Sequence, residues 1–235
     1  MPSWSIHLNV AKKLNETLKL DKDLFYYGNL IPDVDYSDKI NRFDAHYYDI
    51  NLQYPTVPKE NMIDINKFLE DYKDKLNNPL IIGYYTHLLT DLYFNEIIYN
   101  KCWVQDKDNN IIGIRLKNNK VINIDTEDKN NLRKKYKHGD LELYGKYIFN
   151  NIELPSNRLI IKDTIKKLNI DFLDDDLVDK RFKYLNNKFY KDNKLSLKEK
   201  IFKHKYKLFY KKEIDNMFED CIKYIINNLK KENLI

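Results

Sequence analysis

Glycine is scarce in this sequence, with five residues in 235. That is too few for the many tight connections of a β-sandwich or barrel. Cysteine is scarcer still: Cys102 and Cys221 are the only two, so there is no disulfide framework and a reducing compartment is implied. No stretch approaches the roughly 20 apolar residues of a membrane-spanning helix. The opening "MPSWSIHLNVAKKLN" has no apolar run of signal-peptide length and no cleavage site. Charge of one sign is also missing. Charged residues make up 33%, yet they nearly cancel to +5, which argues against the clustered basic face of a nucleic-acid binder. The reading is a soluble, cytoplasmic protein.

The chain is instead rich in apolar and aromatic side chains, 43% and 14%, ample for the core of one domain over residues 1–235. Helical periodicity dominates. "SWSIHLNVAKKLNETL" sets Trp4, Leu8, Ala11 and Leu18 near one face, with Ser3 or Ser5 as N-cap. "NMIDINKFLEDYKDKL" reads as an amphipathic helix, and Asn77-Asn78-Pro79 separates it from the next. That next segment, "GYYTHLLTDLYFNE" from 83 to 96, has no wide polar face and predicts a largely buried helix. "DNNIIGIRLKNNKVINI" alternates around Asn118-Asn119, which predicts a β-hairpin insertion over 103–124 that projects from the helical body. Helical patterns resume near Thr126 and fill 150–235, and the Lys-rich tract from Lys188 to Lys212 reads as a solvated face. The expected fold is mostly α, with that one small β insertion.

The buried helix poses the chemical question, because Asp91 lies in its apolar sequence and a buried carboxylate costs several kcal/mol unless something positive compensates it. His87 and Asp91 are four residues apart, so they share one helix face. His138 and Glu142 repeat that spacing in "HGDLE", and His7 sits near the apolar face of the first helix. His46 follows a loop rich in acids, Asp33, Asp35, Asp38 and Asp44. Histidine and carboxylate at one helical turn can share a Zn²⁺, which takes about four N, O or S donors; a plain helix hydrogen bond is the alternative for each pair. Other metal and nucleophile motifs are absent. There is no adjacent His-Asp dipeptide, no H-E-x-x-H, no G-x-S-x-G and no G-x-x-x-x-G-K. Asp38 stands where an EF-hand loop needs glycine.

Taken in order, W-x-x-H-L-x-x-A at 4–11, G-N-L-I-P-D at 28–33, His46 and G-Y-Y-T-H-L-L-T-D at 83–91 resemble the bacterial zinc-dependent phospholipase C family. That family shares its fold and metal cluster with the S1/P1-type nucleases. The resemblance implies a helical domain that clusters up to three zinc ions and cleaves phosphodiesters. It implies that Asp33, His46, His87 and Asp91 hold one zinc, with Asp33 also the general base. Asp91 would bridge to a second zinc held by His7, and His138 with Glu142 fit the family's later H-x-x-x-E. The family has a further histidine shortly after the His87/Asp91 pair, where this chain reads Tyr93-Phe94-Asn95-Glu96. One or two tightly bound ions are therefore expected, with the His138/Glu142 position weak. In secreted relatives an N-terminal tryptophan binds metal through its amine, whereas Trp4 follows Met-Pro-Ser. The implied substrate is a phosphodiester, as lipid headgroup, nucleotide or small molecule. An S1/P1-type nuclease and a non-catalytic metal-binding protein are the alternatives.

Overall fold

The computed structural model describes residues 2–33, 41–49, 62–108, 110–124, 129–149, 152–170, 172–195 and 206–235. Asp35, Asp38 and His204 lie outside them. The fold is mostly helical, with one small antiparallel sheet, as the patterning predicts.

The organising element is the buried helix α5 (Pro79–Cys102). It starts where expected: Asn78 accepts a hydrogen bond from the Leu80 amide at 2.9 Å, and Pro79 takes the first helical position. Every residue from Leu80 to Asp91 is buried, the arrangement of a helix without a polar face. Helix α1 (Trp4–Leu18) and helix α2 (Lys22–Gly28) pack against it. Ser3 holds the N-cap position of α1 without a side-chain cap. The crossing of α2 and α5 is closest at Gly28 and Gly83. A Cβ on Gly28 would lie 2.9 Å from the Gly83 Cα and would overlap the Leu80 carbonyl, and one on Gly83 would overlap the Phe25 carbonyl. Only two glycines permit this approach, and it fixes the residues after Gly28 alongside His87.

From α2 the chain enters a single 3₁₀ turn, Ile31–Asp33, in which the Asp33 amide donates to the Leu30 carbonyl at 3.1 Å. The short helix α3 (Arg42–Ala45) ends at His46 and is held to α5 by the Tyr84 hydroxyl, 2.5 Å from the Ala45 carbonyl. Helix α4 (Ile65–Asp71) occupies the predicted amphipathic stretch.

After α5 come β1 (Trp103–Gln105), β2 (Ile111–Arg115) and β3 (Val121–Asn123), antiparallel in that order. The β2–β3 turn passes through Asn119, which takes positive φ, as asparagine tolerates. The sheet does not simply project. Ile114 is fully buried in the core and the Lys117 amide donates to the Lys207 carbonyl at 2.9 Å.

Two further helical rods contain π-helical turns. Helix α6 (Lys129–Leu132) continues through a π segment, Arg133–His138, into α7 (Gly139–Ile148). Helix α8 (Arg158–Lys167) precedes α9 (Asp175–Tyr184), which runs through a second π segment, Leu185–Phe189, into α10 (Tyr190–Asp192). Such turns recur at functional sites, and His138 and Phe189 each end one beside the same cleft. The long helix α11 (Lys211–Lys231) packs against α5 and α1.

Candidate metal centre

Four elements bring their chemistry-bearing side chains to one buried point. Helix α1 contributes His7, the 3₁₀ turn Asp33, α3 its terminal His46, and α5 both His87 and Asp91. His7, His46, His87 and Asp91 are fully buried, and the Asp33 side chain is 9% exposed.

The ring nitrogens converge on the carboxylates. His7 Nε2 lies 3.3 Å from Asp91 Oδ1, His87 Nε2 3.6 Å from Asp91 Oδ2, and His46 Nε2 3.7 Å from that same oxygen. His46 Nε2 is also 3.3 Å from Asp33 Oδ1. Two sets of donor atoms lie within 4.8 Å of one another: His7, Asp33 and His87, and His46, His87 and Asp91. None of His7 Nδ1 and Nε2, His46 Nε2, His87 Nε2 or Asp91 Oδ1 and Oδ2 has a hydrogen-bond partner in the protein. Six buried polar atoms left so would cost about 1–3 kcal/mol each, a total comparable to a domain's whole stability of about 5–15 kcal/mol. A divalent ion taken up by the Nε2 and carboxylate atoms would offset most of that cost.

The outer contacts fit the same purpose. His46 Nδ1 donates to the Arg42 carbonyl at 2.9 Å, and His87 Nδ1 to the Asn29 carbonyl at 2.7 Å. A ring that donates from Nδ1 turns its Nε2 lone pair inward, which is how metal-ligating histidines are oriented. The Thr86 hydroxyl donates to Asn29 Oδ1 at 3.0 Å and steadies that residue. The His7 ring lies flat on the His87 ring, centroids 3.8 Å apart.

Burial and neighbouring charge set the protonation states. Burial pushes the His7 pKa down, helped by His87, to about 4; its ring is neutral at pH 7 and ready to ligate. Burial also disfavours charge on His87, but Asp91 and Asp33 outweigh it and hold its pKa above the ordinary value. Asp91 and Asp33 are the converse cases. Burial would raise each, yet His7 and His87 hold Asp91 well below the carboxylate range, and His46, His87 and Arg42 do the same for Asp33.

A cleft of about 400 Å³ opens above Asp33, lined also by Trp4, Arg42, His138, Glu142, Tyr184 and Asp192. The indole Nε1 of Trp4 donates to Asp33 Oδ2 at 3.0 Å. The Arg181 guanidinium stacks over the Trp4 ring at 3.9 Å and donates to the Asp33 carbonyl at 2.6 Å. His138 and Glu142 line this cleft and belong to neither donor set; Glu142 is 60% exposed and pairs with Lys146 at 3.2 Å. Asn95, one turn beyond Asp91, accepts a hydrogen bond from the buried Lys137 ammonium at 2.6 Å.

The sequence reading missed Asn29, Arg42 and Arg181. Arg42 is four residues before His46, a helical spacing that could have flagged it. Arg181 is 148 residues from Asp33 and has no local signal.

A fold built on a buried helix that carries a His/Asp cluster defines a helical metalloprotein, and the family comparison agrees. The zinc-dependent phospholipase C family model matches residues 4–223 of the 235, and the chain belongs to that family. Membership brings zinc dependence and a hydrolase of phospholipase C type. Neither a curated protein nor a solved structure matches the chain. No helix among the described residues is long and apolar enough to cross a membrane.

Proposed function

We propose that this chain is a cytoplasmic, single-domain phosphodiesterase that uses zinc held by Asp33, His46, His87 and Asp91, with His7 and Asp91 serving a second ion. The carrying observation is the set of buried His7, His46, His87 and Asp91 atoms that converge without hydrogen-bond partners in the protein. The donors are imidazole nitrogens and carboxylate oxygens, the set zinc prefers in hydrolytic sites. When bound, zinc supplies Lewis acidity for phosphoester cleavage.

The chain's own residues divide the remaining work. Among the described residues Asp33 is the one carboxylate shared by the cluster and the cleft, so it is the proposed general base for the attacking water. Trp4 holds one Asp33 oxygen and Arg181 holds its backbone, so the base is aimed from two sides. The apolar surroundings of α5 exclude bulk water from the ligands, which strengthens every charge interaction there.

Two features support one or two tightly held ions. Glu142 engages Lys146 in solvent, and Asn95, a weaker ligand than histidine, is already engaged by Lys137. His138 and Glu142 are then a weak third position at most. The lining also favours a small phosphodiester or a lipid headgroup over a nucleic-acid strand. The described cleft residues include the acids Asp33, Glu142 and Asp192 against Arg42, whereas a strand needs a basic groove.

The deciding experiment measures zinc in purified protein by elemental analysis and hydrolysis of a panel of phosphodiesters before and after chelation. Bound zinc and chelator-sensitive turnover are expected. Bound zinc with no turnover across lipid, nucleotide and small-molecule substrates would instead establish a non-catalytic metal-binding protein.

A further inference from the structure

We infer that Arg42 is the residue of this chain that binds the substrate's phosphoryl group. The inference rests on the phosphodiesterase reading above and adds the anion-binding residue which that reading lacks.

The electrostatics of the cleft favour such a group beside the metal centre. A phosphodiester carries a negative charge, and it must approach Asp33 in a cleft also lined by Glu142 and Asp192. Among the described lining residues Arg42 is the only lysine or arginine. The nearby Arg181 is buried, committed to the Trp4 ring and the Asp33 carbonyl, and does not line the cleft. Arg42 differs in being 41% exposed, with its Nη1 3.0 Å from Asp33 Oδ1. Its guanidinium therefore stands at the boundary between the candidate metal centre and the open cleft.

Its chemistry suits the task. A guanidinium carries five N–H donors in a planar fork, and that fork matches two phosphoryl oxygens. Asp33 and a phosphoryl oxygen are both anionic acceptors, so the contact seen with Asp33 marks where an anion is held.

Backbone and side chain of Arg42 do separate jobs, which makes the inference testable. The carbonyl orients His46 through its Nδ1, and substitution at Arg42 leaves that carbonyl in place. Zinc-loaded wild type, Arg42→Ala and Arg42→Lys would be compared for zinc content, for inorganic phosphate binding by calorimetry, and for phosphodiester KM and kcat. Arg42→Ala should keep its zinc and weaken phosphate binding about 10- to 100-fold, the range for loss of a charged hydrogen-bonding partner. KM should rise in step. Arg42→Lys should recover part of the loss, since lysine restores the charge but not the fork. Unchanged phosphate affinity in a zinc-replete Arg42→Ala protein would overturn the inference while leaving the phosphodiesterase reading intact. Loss of zinc from both variants, with phosphate affinity per bound zinc unchanged, would show that Arg42 only supports Asp33. Failure of zinc-loaded wild type to hydrolyse any phosphodiester would defeat the underlying reading instead.

Discussion

Replacing Asp91 with asparagine tests the metal centre at the atom on which it turns. Oδ1 faces His7, and Oδ2 faces both His46 and His87 at 3.6–3.7 Å, so one carboxylate serves both proposed ion positions. Asparagine keeps the size but has one oxygen, no charge, and an NH₂ group facing imidazole lone pairs that zinc should occupy. Outer-sphere partners of a metal already contribute about 10- to 100-fold in affinity, and a direct, bridging ligand should contribute at least the upper figure. With zinc at about 100 times its dissociation constant, wild type gains about 2.7 kcal/mol. That raises Tm by roughly 5–11 °C for a chain of this size. At the same zinc concentration a variant weakened 100-fold gains only about 0.4 kcal/mol, or roughly 1–2 °C.

The assay is thermal unfolding of metal-stripped wild type and Asp91→Asn, with and without zinc, alongside bound zinc per chain. Far-UV circular dichroism of the stripped variant checks that it is folded. A zinc-induced rise in Asp91→Asn equal to that of wild type would refute the assignment of Asp91 as a ligand shared by both ions.

Acidification should weaken zinc binding with a particular signature. The raised pKa of His87 means that its contribution to the metal-free fold is fully present below about 6.5 and fades as pH rises through the raised value. Zinc needs the neutral ring, so below that raised value its affinity should fall about tenfold per pH unit for each proton displaced. His7, with its pKa pushed down to about 4, should release no proton at pH 6, and calorimetry in buffers of different ionisation enthalpy counts the protons released. Gly83→Ala should destabilise by about 1–3 kcal/mol or more, because its methyl group would meet the Phe25 carbonyl and Gly28; an unchanged urea midpoint would contradict the close crossing of α2 and α5. Trp4→Phe should keep the ring contacts to Arg181, Tyr184 and Phe189 but lose the hydrogen bond to Asp33. Turnover should then fall roughly tenfold or more at unchanged zinc content, as expected for a hydrogen bond to a charged group, and full turnover would remove Trp4 from the aiming of Asp33. His138→Ala should leave the number of tightly bound zinc ions as in wild type, read by titration of metal-stripped protein.

How much of this was legible in the sequence depended on whether the decisive geometry was local. His87 and Asp91 were readable as a pair because helical spacing alone places them on one face, and the apolar residues around them required that face to be buried. His7, Asp33 and His46 could be joined to them only through the order of motifs shared with a family. Physically they meet because Gly28 and Gly83 let two helices touch, and a lone glycine in a sequence does not name its partner. The hairpin was readable from its alternation about Asn118-Asn119. Its anchorage through Lys117 to Lys207 was not, because that bond joins residues 90 positions apart. The two π segments left no mark, since one extra residue per turn does not change composition. The pair His138 and Glu142 shows the limit most clearly. It has the same spacing as His87 and Asp91, yet Glu142 is exposed and paired with Lys146. Spacing fixes that two side chains share a face, but the neighbours decide which way the face looks. Asp91 lies on a stretch of α5 where Leu88, Leu89 and Phe94 are buried as well, whereas Glu142 belongs to an amphipathic helix whose buried side is carried by Leu141 and Tyr144. A motif match at 138–142 therefore predicts a helix turn facing the cleft, and only the surrounding hydrophobic pattern separates a buried ligand from a surface ion pair.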